Sequence, residues 1–394
     1  MKSIYDKLKD KKVSYKEVPS FNPPGDGEGI RAITFEGLPF GGKKTKVFAY
    51  LGYPEDTSCK VPAIVLVHGG GGVPFASWVK RWNKLGYAAI AMSVTGDFPT
   101  TRDTCPYKEE HGKHREVWLH GFTEGFSEEG YTVMPDNDTL KNSEEPIEKQ
   151  WIYNAFGAII LSCNILRDDP FIDENKIGIT GVSWGGVLTS IALSIDPRFA
   201  FAIPIYGSGY MAESMARLGV YFRSGKNPDL WLCEKYFPDV KCPVLWLCWN
   251  SDYAFSLNSN SDSYIDTVKN NPKTRLCAIH KMMHAHWNGW GREESYAFAD
   301  SVVKGSPQLP RFAVGKNEIV NPDNVKINEI KIYYLTKPLC YITTESDGLH
   351  QAEEWKVEKA DLERLPYGCS EYYYEITSEI DGKEYITTSE LRKA

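Results

Sequence analysis

Between about residues 60 and 305, short continuous apolar runs alternate with segments of helical periodicity. Such runs are typical of strands buried on both faces of a sheet. Ile152, Phe156, Ile159 and Cys163 are spaced three and four residues apart, which places them on one face of a helix. Strand, helix and strand in this order predict a doubly wound, mostly parallel sheet. The predicted buried strands are Val61–Val67, Tyr87–Met92, a strand around Ile177–Ile179, Phe199–Tyr206, Pro243–Trp249 and Thr274–Ile279.

The pattern fails in two excursions, at about residues 95–150 and 209–241. The first is rich in glycine, proline and charged residues, and the second is helical and aromatic. A loop as long as the first inside a compact domain is usually functional or disordered. We therefore expect the first excursion to border a functional site.

The pattern changes again at residues 306–310, beyond which apolar and polar residues alternate. Tyr372–Ile380 and Tyr385–Thr388 flank Asp381–Gly382, a dipeptide typical of a hairpin turn. We therefore predict an α/β domain over residues 1–305 and a small C-terminal all-β sandwich domain over residues 310–394.

Composition narrows the class of protein. The 394 residues are 42% hydrophobic and carry a net charge of −7, which argues against binding to nucleic acid or to an anionic membrane surface. No apolar run reaches the roughly 18 residues of a membrane-spanning helix. The nine cysteines show no Cys-x-x-Cys spacing, and Cys163, Cys248 and Cys277 fall in apolar segments. Together with a polar N-terminal stretch, they favour buried free thiols and a cytoplasmic protein.

The strand around Ile177–Ile179 continues into Gly181-Val-Ser183-Trp-Gly185, and an apolar helical run follows. Strand, tight turn and helix with serine at the tip form the nucleophile elbow of an α/β-hydrolase. Gly181 and Gly185 must be small because strand and helix nearly touch there. The N–H of Trp184 lies at the start of the helix, where it can stabilise an oxyanion. An ordinary glycine-rich turn is the alternative.

A serine nucleophile needs a base and an acid that orients the base. In this fold the acid follows the serine along the chain and the histidine comes last. Asp252 comes just after the buried strand Pro243–Trp249, so we predict it to be the acid. Asp262 and Asp266 lie further into the same loop and are weaker candidates. Asp196 follows the elbow helix and is better suited to cap a turn.

Three histidines, His280, His284 and His286, cluster after the last predicted core strand. His280 is still at the strand end, where packing is the expected role. We predict His284 to be the base, and His286 is the alternative base or a substrate-binding residue. No cysteine or carboxylate completes a local metal-ligand set, so we expect neither a metal nor a cofactor. Three further histidines in the first excursion are expected at the surface: His111, His114 and His120.

A glycine run, His68-Gly69-Gly70-Gly71-Gly72, follows the first buried strand. A backbone without side chains allows a substrate oxygen to approach closely. We predict that the N–H of Gly70 completes an oxyanion hole with the N–H of Trp184. A flexible turn is the alternative. No Gly-Lys-Ser/Thr follows, which excludes a phosphate-binding loop.

Several motifs follow one another in a fixed order over residues 45–305. They are His68–Gly72 with Trp78 and Gly86-Tyr87, Trp151–Tyr153, Gly181–Gly186, Asp196–Phe199 with Tyr206-Gly207, and His284–Trp290. In this order they resemble the acetyl xylan esterase and dienelactone-hydrolase-like branch of the α/β-hydrolases. The resemblance implies serine esterase chemistry on small acyl esters, often acetyl groups on sugars. It also implies an extra C-terminal β domain.

We therefore expect a serine esterase that hydrolyses small acyl esters, with acetylated carbohydrate as the favoured substrate. Ser183 is the expected nucleophile, His284 the base and Asp252 the acid. The expected partner is a small-molecule or oligosaccharide ester. A serine peptidase on the same scaffold and a non-catalytic carbohydrate-binding relative are the two alternatives.

Overall fold

A computed structural model describes residues 1–23, 29–96, 98–106, 118–123, 131–132, 143–344, 348–351 and 353–394. Its helices are α1 Lys2–Leu8, α2 Ala76–Lys84, α3 Trp151–Arg167, α4 Trp184–Ile195, α5 Arg217–Arg223, α6 Asn227–Trp231, α7 Leu257–Val268, α8 His286–Trp290 and α9 Glu293–Val303. Its strands are β1 Tyr15–Glu17, β2 Arg31–Glu36, β3 Lys44–Gly52, β4 Val61–Val67, β5 Ala88–Met92, β6 Phe98–Pro106, β7 Trp118–Thr123, β8 Tyr131–Thr132, β9 Ile172–Val182, β10 Phe201–Ile205, β11 Leu245–Trp249, β12 Arg275–Ile279, β13 Arg311–Phe312, β14 Ile319–Val320, β15 Lys326–Leu335, β16 Tyr341–Thr344, β17 Gly348–Gln351, β18 Lys356–Lys359, β19 Glu371–Ile380, β20 Lys383–Thr388 and β21 Arg392–Lys393.

Parallel strands in the order β5-β4-β9-β10-β11-β12 form the core of a 15-stranded sheet that is flanked by helices. These strands are buried on both faces, which explains their continuous apolar sequences. The chain leaves β4 towards β5 on one side, whereas β9 continues to β10 on the other. A crevice opens beyond the carboxyl ends of strands at such a reversal of order. The ends of β4 and β9 are followed by the glycine run and by Ser183, so both predicted site elements lie at this crevice.

The predicted α/β-hydrolase fold is confirmed, and several predicted elements have the predicted bounds. Both β4 and α9 match the residues predicted from the sequence. The early strands β2 and β3 pair antiparallel across a turn in which Gly41 and Gly42 have positive φ. Cys163, Cys248 and Cys277 are buried free thiols, as predicted.

The C-terminal strands are antiparallel, as predicted, but they extend the α/β sheet where a sandwich of their own was expected. The strand β20 pairs antiparallel with β12 through Thr388 and Leu276, and β19, β15 and β18 continue outward in that order. A free edge on β12 would expose unpaired backbone groups, and β20 covers it. The division into domains at about residue 305 stays a prediction.

Alternate side chains of β19 contribute to two apolar clusters. Tyr373 belongs to the core of the α/β sheet, while Tyr372, Tyr374 and Ile376 pack in a separate cluster with Phe312. Asp381 and Gly382 both have positive φ between β19 and β20, as a type I′ hairpin turn requires. The hairpin prediction is therefore confirmed.

The two excursions are described to different extents. Within the first, β6 pairs with β7 and β8 pairs with β3. The side chains of His111, His114 and His120 lie outside the described residues. The second contains α5 and α6, flanked by the 3₁₀ turns Met211–Glu213 and Glu234–Asp239. Among the helices of the described ranges, none is long and apolar enough to cross a membrane.

Candidate active site

Ser183 occupies a strained turn between β9 and α4. Its backbone has φ 60° and ψ −119°, a region that residues other than glycine rarely adopt. The Ser183 N–H donates to the carbonyl of Ile205 at 2.8 Å, and the Ser183 carbonyl accepts the N–H of Val187 at 3.0 Å. The surrounding backbone therefore holds the serine at the tip of the turn, and strain of this kind is typical of functional sites.

The glycines of the motif allow this turn to form. A Cβ atom on Gly181 would clash with the carbonyl of Gly185, and one on Gly185 would clash with the carbonyl of Val67. The end of β4, the end of β9 and the start of α4 thus meet without room for a side chain. This close approach brings the glycine run after β4 next to Ser183.

Asp252 and His284 form a close pair. The Nδ1 of His284 lies 2.6 Å from Oδ2 of Asp252, which is 1% exposed. The other carboxylate oxygen accepts the N–H groups of Ala254 at 2.9 Å and Phe255 at 3.2 Å. An ionised carboxylate accepts hydrogen bonds only, so Nδ1 of His284 carries the hydrogen. The lone pair of this imidazole is then on Nε2.

Two aromatic rings fix the imidazole of His284. Tyr206 stacks on it at 4.6 Å between centroids, and Phe255 stacks at 5.5 Å. The hydroxyl of Tyr206 donates to the carbonyl of Met283 at 2.7 Å and so ties down the preceding residue. Tyr206 and Met283 both have positive φ, which shows that the loop is strained on either side of this contact. The ring plane of His284 is therefore set by packing as well as by Asp252.

His286 has a different environment. Its Nε2 accepts the N–H of Gly69 at 3.0 Å. Burial, with His68 and His284 nearby, lowers the pKa of His286 to about 3. The ring is close to the nucleophile, because a Cβ atom on Gly69 would lie 2.9 Å from this Nε2 and 3.1 Å from Cβ of Ser183. His286 is therefore a neutral side chain whose lone pair is already used.

His68 binds the other side of the same peptide group. Its Nε2 accepts the N–H of Val94 at 3.1 Å, so the hydrogen is on Nδ1, which lies 2.9 Å from the carbonyl of Gly69. Burial lowers the pKa of His68 to about 4. Two neutral imidazoles thus clamp Gly69 through its N–H and its carbonyl. The sequence analysis treated His68 only as the start of the glycine run, and its position at the strand end was the available signal.

The two predicted oxyanion donors lie on either side of the elbow. Gly70 is inside a turn closed by the N–H of Gly72 and the carbonyl of Gly69 at 3.0 Å. Trp184 is the first residue of α4, where an N–H has no acceptor within the helix. The Trp184 ring packs against Trp151 at 5.1 Å.

The remaining candidates have other partners. Asp196 pairs with Arg198 at 2.7 Å, and Asp266 accepts the hydroxyl of Tyr210. Burial and the nearby Asp266 raise the pKa of Asp262. The ring of His280 lies 3.3 Å from Nδ2 of Asn250. The three clustered histidines thus point to three different partners, and no metal-binding group of His, Cys, Asp and Glu occurs among the described residues.

The structure therefore joins some of the predicted residues directly and others only by proximity. It pairs Asp252 with His284, and it places His286 and the glycine run beside the Ser183 elbow. Within the described ranges, the Oγ of Ser183 makes no side-chain hydrogen bond to either histidine. Catalytic hydrogen bonds are often long in ligand-free structures and shorten when substrate binds.

Comparison with known proteins gives two family matches. Residues 29–210 match the model of acetyl xylan esterase (AXE1), and residues 141–299 match the model of the prolyl oligopeptidase family. The first match includes the glycine run and Ser183, and the second includes Ser183, Asp252 and His284. The chain is an α/β-hydrolase. The predicted resemblance is thus confirmed, and the hydrolase is a serine hydrolase, a class that contains esterases and peptidases.

Solved structures support the same fold for the hydrolase. The acetyl xylan esterase from Paenibacillus sp. R4 superposes with a TM-score of 0.52 at 15% identity, covering 76% of this chain and 93% of the other. Acetyl xylan esterase 1 from Thermoanaerobacterium sp. JW/SL YS485 gives 0.49 at 14% identity, covering 76% and 92%. The acylaminoacyl peptidase of Pyrococcus horikoshii gives 0.45 at 19% identity, covering 75% and 42%. No curated protein sequence matches the chain.

Proposed function

We propose that the hydrolase is a serine esterase that cleaves small acyl esters, with acetylated carbohydrate as the favoured substrate. The observation that carries the proposal is the 2.6 Å pair of Asp252 and His284 at the same sheet edge as the Ser183 elbow. A buried carboxylate, an oriented imidazole and a serine on a strained turn are the parts that acyl transfer requires.

In the proposed reaction, the Oγ of Ser183 attacks the ester carbonyl while Nε2 of His284 takes the hydroxyl proton. Asp252 keeps the hydrogen of His284 on Nδ1 and stabilises the imidazolium that forms. The N–H groups of Gly70 and Trp184 stabilise the oxyanion of the tetrahedral intermediate. His284 then returns the proton to the leaving alcohol. A water molecule, deprotonated by the same imidazole, releases the acid from Ser183.

The surroundings of the relay support His284 as the base in preference to His286. An imidazole can accept the serine proton only through a free lone pair, and Nε2 of His286 is already bonded to Gly69. His286 also lacks a carboxylate partner and has a pKa lowered to about 3 by burial. His284 has the carboxylate that a catalytic imidazole needs.

An uncharged ester suits the exposed residues next to the relay. Tyr253 follows Asp252 and is 42% exposed, and Met283 precedes His284 and is 55% exposed. Apolar and aromatic surfaces of this kind bind acyl groups and sugar rings. The match to acetyl xylan esterase over the nucleophile half of the chain points to an acetyl group.

A serine peptidase is the second candidate, because the prolyl oligopeptidase match contains all three relay residues. The two candidates differ in the bond that is cleaved. The test is to measure kcat/KM of the wild-type chain on acetylated xylo-oligosaccharides, on 4-nitrophenyl acetate and on aminoacyl 4-nitroanilides. The esterase proposal predicts turnover of the acetyl esters. Turnover of the anilides without turnover of the acetyl esters would contradict it and would support the peptidase.

A further inference from the structure

The hydroxyl of Tyr341, at the start of β16, donates to the backbone carbonyl of Asp252 at 3.0 Å. We propose that Tyr341 is a positioning residue that holds the acid loop in register with His284. The inference rests on the proposed function, because it acts through Asp252. It gives the C-terminal strands a part in the reaction beyond packing.

The acid loop has a second attachment to the same strands. The indole N–H of Trp355 donates to the carbonyl of Asn250 at 3.2 Å, and the side-chain amide of Asn250 donates to the hydroxyl of Tyr373 at 2.9 Å. All three side chains are buried. The turn from Asn250 to Asp252 is therefore held at both ends by side chains from the C-terminal strands.

Tyr341 is itself held in place by the segment before it. The carboxylate of Glu353 accepts the N–H of Thr336 at 3.1 Å, its hydroxyl at 2.6 Å and the N–H of Lys337 at 3.0 Å. The carboxylate of Glu371 accepts the N–H of Leu339 at 2.6 Å. Hydrogen bonds to charged groups are stronger than those between neutral groups. Residues 336–341 thus form an anchored strap that ends at the tyrosine.

The strap acts on the one contact that orients the base. Asp252 reaches His284 from the acid loop, and the His284 ring has little freedom because Tyr206 and Phe255 stack on it. A shift of the loop would therefore lengthen the Asp252–His284 bond without a matching shift of the ring. A contact that acts in this way should change the rate of attack by Ser183 and leave the binding of a small ligand unchanged.

The experiment uses Tyr341→Phe, which removes only the hydroxyl. A small uncharged fluorophosphonate serves as the probe, because its reaction with Ser183 needs the relay but no knowledge of the substrate. The maximal phosphonylation rate should fall about three- to tenfold, as expected for loss of one hydrogen bond, while the concentration for half-maximal rate is unchanged. Tyr264→Phe is the matched control, since that buried hydroxyl also donates to a backbone carbonyl between core and C-terminal strands, at Phe312.

A double-mutant cycle with Asp252→Asn separates positioning from general stability. If Tyr341 acts through the carboxylate, Tyr341→Phe should have little further effect in the Asp252→Asn background. An unchanged rate in Tyr341→Phe, or an equal fall in both backgrounds, would overturn the inference while normal wild-type labelling still supports the proposed function. Absence of wild-type labelling would instead refute the proposed function itself.

Discussion

The substitution His286→Gln distinguishes a residue that positions the glycine run from a catalytic base. The Nε2 of His286 accepts the N–H of Gly69, and a glutamine oxygen can take the same hydrogen bond. Glutamine cannot act as a base at neutral pH. The same substitution at His284 removes the imidazole that Asp252 orients. His284→Gln is therefore the matched variant.

The expected magnitudes are far apart. If His286 only holds Gly69, the substitution weakens one hydrogen bond, which is worth about 0.5–1.5 kcal/mol and corresponds to about a two- to tenfold fall in rate. Loss of the base from a serine relay costs about 10³-fold or more. The positioning role is confined to the glycine run, so the fall should appear in kcat.

The assay is the kcat and KM of wild type and both variants on one acetyl ester, with thermal unfolding to check that each variant folds. We expect His286→Gln to keep at least about a tenth of the wild-type kcat and His284→Gln to lose about 10³-fold. The reasoning would be refuted if the folded His286→Gln variant lost as much as His284→Gln.

Further predictions concern stability. Burial lowers the pKa values of His68 and His286 to about 4 and about 3, below the roughly 6.5 of an unfolded chain. Stability should thus be complete above about pH 6.5 and fall by about 2 kcal/mol per histidine between pH 7 and pH 5, because only the unfolded chain gains the protons. Denaturant unfolding of wild type and His286→Gln should show the smaller pH dependence in the variant, and equal slopes would argue against a buried neutral His286. Gly185→Ala should lower the unfolding temperature and abolish phosphonylation, because its Cβ would clash with the carbonyl of Val67. Gly382→Ala has open space but positive φ, so it should cost about 1–2 kcal/mol and leave the phosphonylation rate unchanged; similar rates in the two alanine variants would contradict the close approach at the elbow.

The sequence predicted the parallel core well, because its signals are local. A strand buried on both faces must be apolar throughout, which is why β4 was found with its observed bounds. Glycines that allow strand and helix to touch likewise mark the elbow around Ser183 within a few residues. The hairpin at Asp381 and Gly382 was predictable for the same reason, since its turn depends on two residues with positive φ.

The arrangement of the C-terminal strands could not be read in this way. Alternation of apolar residues tells which face of a strand is buried, but the pairing of β20 with β12 uses backbone groups that every sequence provides. The hydrogen bond from Tyr341 to Asp252 joins residues far apart in the sequence and leaves no periodic signal. His284 and His286 could not be separated for a related reason, because they share one loop and differ only in their partners.

Intact mass after reaction with a fluorophosphonate tests the central claim, that Ser183 is an activated nucleophile, most directly. The account predicts one phosphonyl adduct on the wild-type chain, located on Ser183, and none on the folded Ser183→Ala variant. An unmodified wild-type chain, or an adduct that persists in Ser183→Ala, would contradict it.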